Sequence, residues 1–193
     1  MTLTNIIITK SYPDTLFSYT HKTPIGDLIS LESSDGSLTH LFFNSTFFEL
    51  FKADYLNDNI NKHKNILPSP QCINPNLTNQ LHKYFAGDLS NFSIRLMLKG
   101  TNFQLKVWHG LLKINYGTTC SYLDLAAYID HPKAVRALGS ANGANPIPII
   151  IPCHRVIKHN GKLGGYGGGL EIKQFLLDLE KHDLKNININ IKI

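Results

Sequence analysis

Asn145-Pro146-Ile147-Pro148-Ile149-Ile150-Ile151-Pro152-Cys153-His154-Arg155-Val156 is the stretch on which the reading of this chain turns. Its prolines fix backbone angles and remove N–H donors. Its isoleucines make the run stiff and apolar, suited to a strand. The cysteine at its end is followed at once by two potential cations, His154 and Arg155. The thiolate is the nucleophilic form of cysteine, and neighbouring positive charge lowers a thiol's pKa. A reactive Cys153 with a depressed pKa is therefore expected. The bland alternative, a small buried hydrophobe, suits Cys72 and Cys120, which lack such neighbours. On an extended segment adjacent side chains point to opposite faces, so His154 is not expected to touch the thiol directly.

Working outward, Gly164-Gly165-Tyr166-Gly167-Gly168-Gly169 reads as a loop of close approach. Beyond it a helix is expected from Leu170 to about His182, with Ile172, Phe175, Leu176 and Leu179 on one face. Upstream, Thr101-x-x-Gln104 has capping-box spacing and opens a helix striped by Phe103, Val107, Leu111 and Ile114. Asn115-Tyr116-Gly117 breaks that helix. Ser121-x-x-Asp124 starts a second one, carrying Tyr122, Leu125, Ala126 and Ile129 on one stripe. Pro132 is placed as the first residue of a third helix running to about Leu138. Two short helices joined by a tight turn read as a helix-turn-helix.

The first half reads as α+β. Strands are expected at Ile6–Thr9, Leu16–Thr20, Asp27–Leu31 and Leu38–Phe43, the last two joined across Ser33-Ser34-Asp35-Gly36. Helices are expected over Phe47–Tyr55 and Asn76–Phe85, and a half-buried strand over Ile94–Leu98. Asn57–Pro70 is polar, closed by prolines, and reads as a loop. The expected organisation is an N-terminal α/β domain over 1–98, a mainly helical domain over 99–184 and a tail, 185–193, with no assigned function.

The chain has 193 residues, 42% of them hydrophobic and 17% charged, an ordinary globular composition that can bury a core. The formal charge of +5, before counting nine histidines, fits a polyanionic partner without requiring one. Three isolated cysteines argue against a disulfide framework and for a reducing compartment, cytoplasmic or nuclear. The N-terminus has no basic-then-apolar pattern of a signal peptide. No apolar run approaches the roughly 20 residues of a membrane span.

Other cysteine chemistries fit less well. A zinc deaminase carries P-C-x-x-C with an upstream H-x-E; here Val156 stands where the second ligand belongs, and H-x-E does not occur. Scattered histidines and isolated cysteines show no four-ligand zinc spacing, so no metal site is expected. A cysteine hydrolase needs a Cys/His pair oriented by a third group, which this chain can supply; turnover would distinguish it.

Pro152-Cys153-His154-Arg155 also resembles the active-site signature of the O6-alkylguanine-DNA alkyltransferases, the direct-reversal DNA repair proteins. The similarity runs from about Gly100 to Glu180. Phe103-Gln104-x-x-Val107-Trp108 resembles the opening motif of their C-terminal domain, and Ser121-Tyr122 their Ser-Tyr pair. The resemblance implies an N-terminal ribonuclease-H-like domain, a helix-turn-helix, and the following roles. Cys153 accepts the alkyl group, Glu180 orients His154, and Tyr122 assists the leaving group. Arg136 is the finger that fills the gap of a flipped base, and Asn145 is the hinge before the cysteine segment. Ser121, Ala134, Ala137, Gly139 and Arg155 lie with the DNA-contacting set, and Tyr166 and Gly168 in the substrate loop. Gly167 stands where some members have a serine. The implied partner is double-stranded DNA containing O6-alkylguanine, approached through the minor groove by a monomer, with no cofactor and no membrane. Relatives that bind alkylated bases without repairing them replace the cysteine, so the presence of Cys153 discriminates against a non-catalytic binding module.

Overall fold

The computed structural model describes residues 6–57 and 64–181. The expected tail at 185–193 and the end of the last helix at His182 lie outside the described residues. The chain divides into two compact units, Met1–Lys99 and Gly100–Ile193. Among the described residues no helix is long and apolar enough to cross a membrane.

The first unit is built on a six-stranded sheet in the order β1-β6-β4-β3-β2-β5. Its strands are β1 (Ile6–Ile8), β2 (Thr15–Thr23), β3 (Gly26–Glu32), β4 (Leu38–Phe42), β5 (Asn65–Pro68) and β6 (Leu96–Leu98). The centre, β2–β3–β4, is an antiparallel meander. β1 and β4 flank β6 in parallel, and β5 pairs parallel with β2. Gly36, at φ +76°, turns the chain between β3 and β4, where few residues but glycine are at ease. Helices α1 (Ser45–Leu56) and α2 (Pro75–Phe85) start on Asn44 and Asn74, whose side chains accept from backbone N–H groups. Leu16, Leu31, Phe48 and Tyr55 form a buried cluster, with Phe42 and Phe51 packed against it. β5 corrects the expectation of a loop over Asn57–Pro70. It is a parallel edge strand whose Asn-Ile-Leu-Pro sequence has no alternation to announce it.

In the second unit α3 (Asn102–Leu111) and α4 (Tyr122–Tyr128) each begin on a complete capping box, at Thr101/Gln104 and Ser121/Asp124. They approach closely at Gly110, where a Cβ would lie 2.8 Å from Ile129 Cγ2. The Trp108 indole N–H, in the core of the unit, donates to the Ala141 carbonyl at 2.9 Å. The third helix, α5 (Val135–Gly143), starts later than expected and runs longer. Asp130, at φ +61°, ends the preceding segment, and residues 131–134 close a turn through Ala134 N–H to the His131 carbonyl at 2.9 Å. Pro132 belongs to that turn and not to the helix. β7 (Cys120–Ser121) pairs parallel with β8 (Val156–Ile157), and α6 (Leu170–Glu180) completes the unit.

Candidate active site

The segment before the cysteine is not the simple strand its composition suggests. Asn145 folds it back on itself: its Nδ2 donates to the Ile151 carbonyl at 2.8 Å, and its Oδ1 accepts from Ile147 N–H at 3.0 Å. Pro148 and Ile151 form an isolated bridge, and Ile149 sits at φ +72°. A β-branched residue in that region is strained, and such strain gathers at functional sites. Cys153–Arg155 then form one turn of 3₁₀ helix. This tight turn replaces the alternation expected of an extended chain.

The turn buries Cys153, His154 and Arg155 together, with His154 fully inaccessible. His154 Nε2 lies 2.8 Å from Glu180 Oε1 on α6. A carboxylate oxygen only accepts, so Nε2 carries the proton and Nδ1 is left as an acceptor. Among the described residues Nδ1 has no hydrogen-bond partner. Arg155 grips the same carboxylate, Nε to Oε2 at 2.8 Å and Nη2 to Oε1 at 2.9 Å, and its Nη1 donates to the Ile114 carbonyl at 2.6 Å. Gly117 N–H adds a bond to Glu180 Oε2 at 3.2 Å. Burial alone would raise the Glu180 carboxyl, but the bonds from His154 and Arg155 hold it at about 2. Burial lowers His154 against the pull of Glu180, so the imidazole is neutral.

The expectation of a depressed thiol is corrected. Burial pushes Cys153 up to about 11, opposed by the Asn145 side chain and by the charge of Lys173. The positive charge of Arg155 is neutralised by Glu180 and does little for the sulfur. At neutral pH the group is a thiol.

Tyr122, at the start of α4, is raised by burial and then by the nearby Cys153, with the Asn142 side chain opposing; its phenol stays protonated. Gly164, at φ +72°, lies so close to the Tyr122 ring that a Cβ there would come within 3.3 Å of the hydroxyl. The glycine loop thus closes over Tyr122 at Gly164, upstream of the expected Tyr166 and Gly168. Tyr166 stands edge-on to His154, ring centroids 6.3 Å apart.

Two expected contact residues are occupied otherwise. Arg155 is buried on Glu180, and Ser121 is buried in the cap of α4, its hydroxyl 2.7 Å from Asp124 Oδ2. Arg136 and Ala137 are exposed on α5, with Ala134 and Gly139 partly so. Lys173 was missed by sequence reasoning. It is fully buried on α6, its ammonium donating to the Val156 carbonyl at 2.7 Å and to the Leu163 carbonyl at 2.5 Å. The available signal was its place one heptad before Glu180, on the buried stripe of the helix.

The site thus gathers a buried thiol, a neutral imidazole held by a carboxylate and a protonated phenol, the groups of a protein built around a cysteine. Residues 102–182 match the family described as 6-O-methylguanine DNA methyltransferase, DNA binding domain. A Bacillus subtilis methylated-DNA–protein-cysteine methyltransferase, constitutive, is 43% identical over 167 residues, 86% of this chain and 96% of that one. A Mycobacterium tuberculosis (strain H37Rv) methylated-DNA–protein-cysteine methyltransferase is 58% identical over 102 residues, 53% of this chain and 62% of its own length. Among solved structures, M. tuberculosis OGT in complex with DNA superposes with a TM-score of 0.71 at 42% identity, covering 87% of this chain and 93% of that one. The O6-methylguanine-DNA methyltransferase of Pyrococcus kodakaraensis gives 0.61 at 26% identity over 86% of this chain and 98% of that one. The chain belongs to the methylated-DNA–protein-cysteine methyltransferase family.

Proposed function

We propose that this chain reverses O6-alkylguanine damage in double-stranded DNA by transferring the alkyl group to its own Cys153, once per molecule. The observation that carries the reading is the Glu180–His154 bond in the turn that holds Cys153, in a chain of this family. The exocyclic oxygen of a stacked base is out of reach, so the lesion must be flipped out, at a cost of a few kcal/mol. Helices α4 and α5 with their short connection are read as the helix-turn-helix. Arg136, exposed on α5, fills the vacated stack. The small Ala134, Ala137 and Gly139 let the α5 backbone approach the minor groove. Binding then rests on phosphate contacts and deformability, with little base readout.

In the pocket the Cys153 sulfur bonds to the alkyl carbon as the carbon–O6 bond breaks in line. The electron pair leaves on the guanine oxygen, where the Tyr122 phenol supplies a hydrogen bond or proton. The thiol proton passes to His154 Nδ1 through a water, and the imidazolium formed is stabilised by Glu180. Asn145, whose side chain opposes the upward shift of the thiol, sets its direction, and Tyr166 and Gly168 line the base. The product is a thioether. The bonds made and broken lie between Cys153 and the lesion, so the reading calls for no cofactor.

The first unit is read as the family's ribonuclease-H-like domain, on the strength of its antiparallel meander extended by parallel strands. The protein acts as a monomer. Its three free cysteines suit a reducing cytoplasmic or nuclear compartment. The test is mass spectrometry after incubation with a duplex containing one O6-methylguanine. One methyl group on Cys153 is expected, with none in Cys153→Ala. Methylation of Cys72 or Cys120, or of none, overturns the assignment.

A further inference from the structure

Within the first unit, β2 and β3 carry a line of buried polar contacts that an apolar core does not require. His21 and Glu32 are each 1% exposed, and Cys72 lies half-buried in the segment that leads into α2. Cys72 Sγ–H reaches Glu32 Oε1 at 2.9 Å, and Asn74 N–H reaches Oε2 at 2.7 Å. Ser30 Oγ–H donates to Glu32 Oε1 at 2.9 Å and faces His21 Nε2 at 2.9 Å. Thr78 Oγ1 meets His21 Nδ1 at 3.0 Å.

Glu32 is thus a buried carboxylate served only by neutral donors; among the described residues no cationic side chain pairs with it. Buried carboxylates are normally paired with a cation or bound to a metal. The ligand atoms of His21, Glu32 and Cys72 all lie within 4.8 Å of one another, and among the described residues no other such trio gathers. An imidazole nitrogen, a carboxylate oxygen and a thiolate sulfur form a zinc-type donor set. Tetrahedral coordination at ordinary zinc bond lengths puts such atoms about 3.3–3.6 Å apart, so closure asks for shifts of about an ångström.

We propose that His21, Glu32 and Cys72 bind one divalent transition-metal ion of the zinc type, the fourth position being filled by water or by the Asn74 carbonyl, 3.0 Å from Cys72 Sγ. On binding, the Cys72 S–H bond breaks, its proton leaves to solvent and the sulfur–metal bond forms. His21 exchanges one of its hydroxyl contacts for the metal. One thiolate and one carboxylate balance the two positive charges, so the buried charge on Glu32 is neutralised. The ligands come from β2, from β3 and from the segment before α2, so the ion fastens that helix to the sheet. Their wide separation in sequence, 40 residues between Glu32 and Cys72, hides the site from any spacing motif.

The test uses the full chain with Cys153→Ser, so that the alkyl-accepting thiol gives no signal, titrated with Co²⁺. One equivalent should bind with a thiolate-to-cobalt charge-transfer band and tetrahedral d–d bands, and Zn²⁺ should displace it. Adding Cys72→Ser should abolish the charge-transfer band and weaken binding at least about tenfold. Zn²⁺ should raise the Tm of the first protein and not of the second. Should Cys72→Ser fail to fold, Glu32→Gln provides the same comparison of affinity and Tm. No charge-transfer band at stoichiometric Co²⁺, or a band that survives Cys72→Ser, overturns the site.

Discussion

Glu180 accepts from Gly117, from His154 and twice from Arg155. One acid therefore holds the His154 imidazole and neutralises a buried guanidinium. Glu180→Gln leaves Arg155 as an uncompensated charge, and breaking a buried pair in this way costs about 3–5 kcal/mol. Adding Arg155→Met to that variant should recover part of the loss, read as the shift in urea midpoint. A double variant as unstable as the single one would show that the stranded charge is not the cause. The pH dependence has a definite sign. Because the folded carboxyl is held at about 2, below its ordinary 4.5, its contribution is complete above pH 4.5 and fades as pH falls through 2. That contribution is on the order of 3 kcal/mol. The Gln variant should lack this acid-side slope. The Glu180–His154 pair follows from the family resemblance, but the burial of Arg155 on the same carboxylate and of Lys173 beside it was not legible, since Arg and Lys are usually exposed and only the fold brings them inside.

At the scale of elements, α5 is the helix on which the reading of base flipping rests. If Arg136 fills the gap left by an extruded base, Arg136→Ala should slow repair of duplex DNA at least about tenfold, in line with an extrusion cost of a few kcal/mol. Its reaction with free O6-benzylguanine, which needs no extrusion, should be nearly unchanged. Equal losses on both substrates would assign Arg136 to shaping the pocket. The starts of α3 and α4 were readable because their capping boxes are local chemistry, complete within four residues. The start of α5 was not. Pro132 is a fair first residue for a helix, yet the left-handed Asp130 and the turn at 131–134 move the start to Val135. The cysteine segment was read as a strand from its isoleucines, but Asn145 bends it, and Asn145 reaches Ile151 through a side chain whose direction no pattern encodes. β5 was missed because its partner, β2, lies far away in sequence.

At the scale of the whole molecule, a formal charge of +5 without a motif for reading bases implies binding governed by phosphates. With roughly four phosphate contacts, affinity for undamaged duplex should fall about a hundredfold between 50 and 200 mM salt. A fluorescence-anisotropy titration over that range checks it, and a flat response would deny that phosphates dominate. The bonds to Glu180 have a further meaning when the chain is followed in time. Cys153, His154 and Arg155 leave the ribosome well before the residues of α6 do. During that interval the imidazole and guanidinium have no carboxylate, and the turn lacks the group that holds it in shape. Only when α6 docks is the imidazole held by a carboxylate. The carboxylate that holds the turn around Cys153 is thereby added last, and a chain that ends before α6 lacks it.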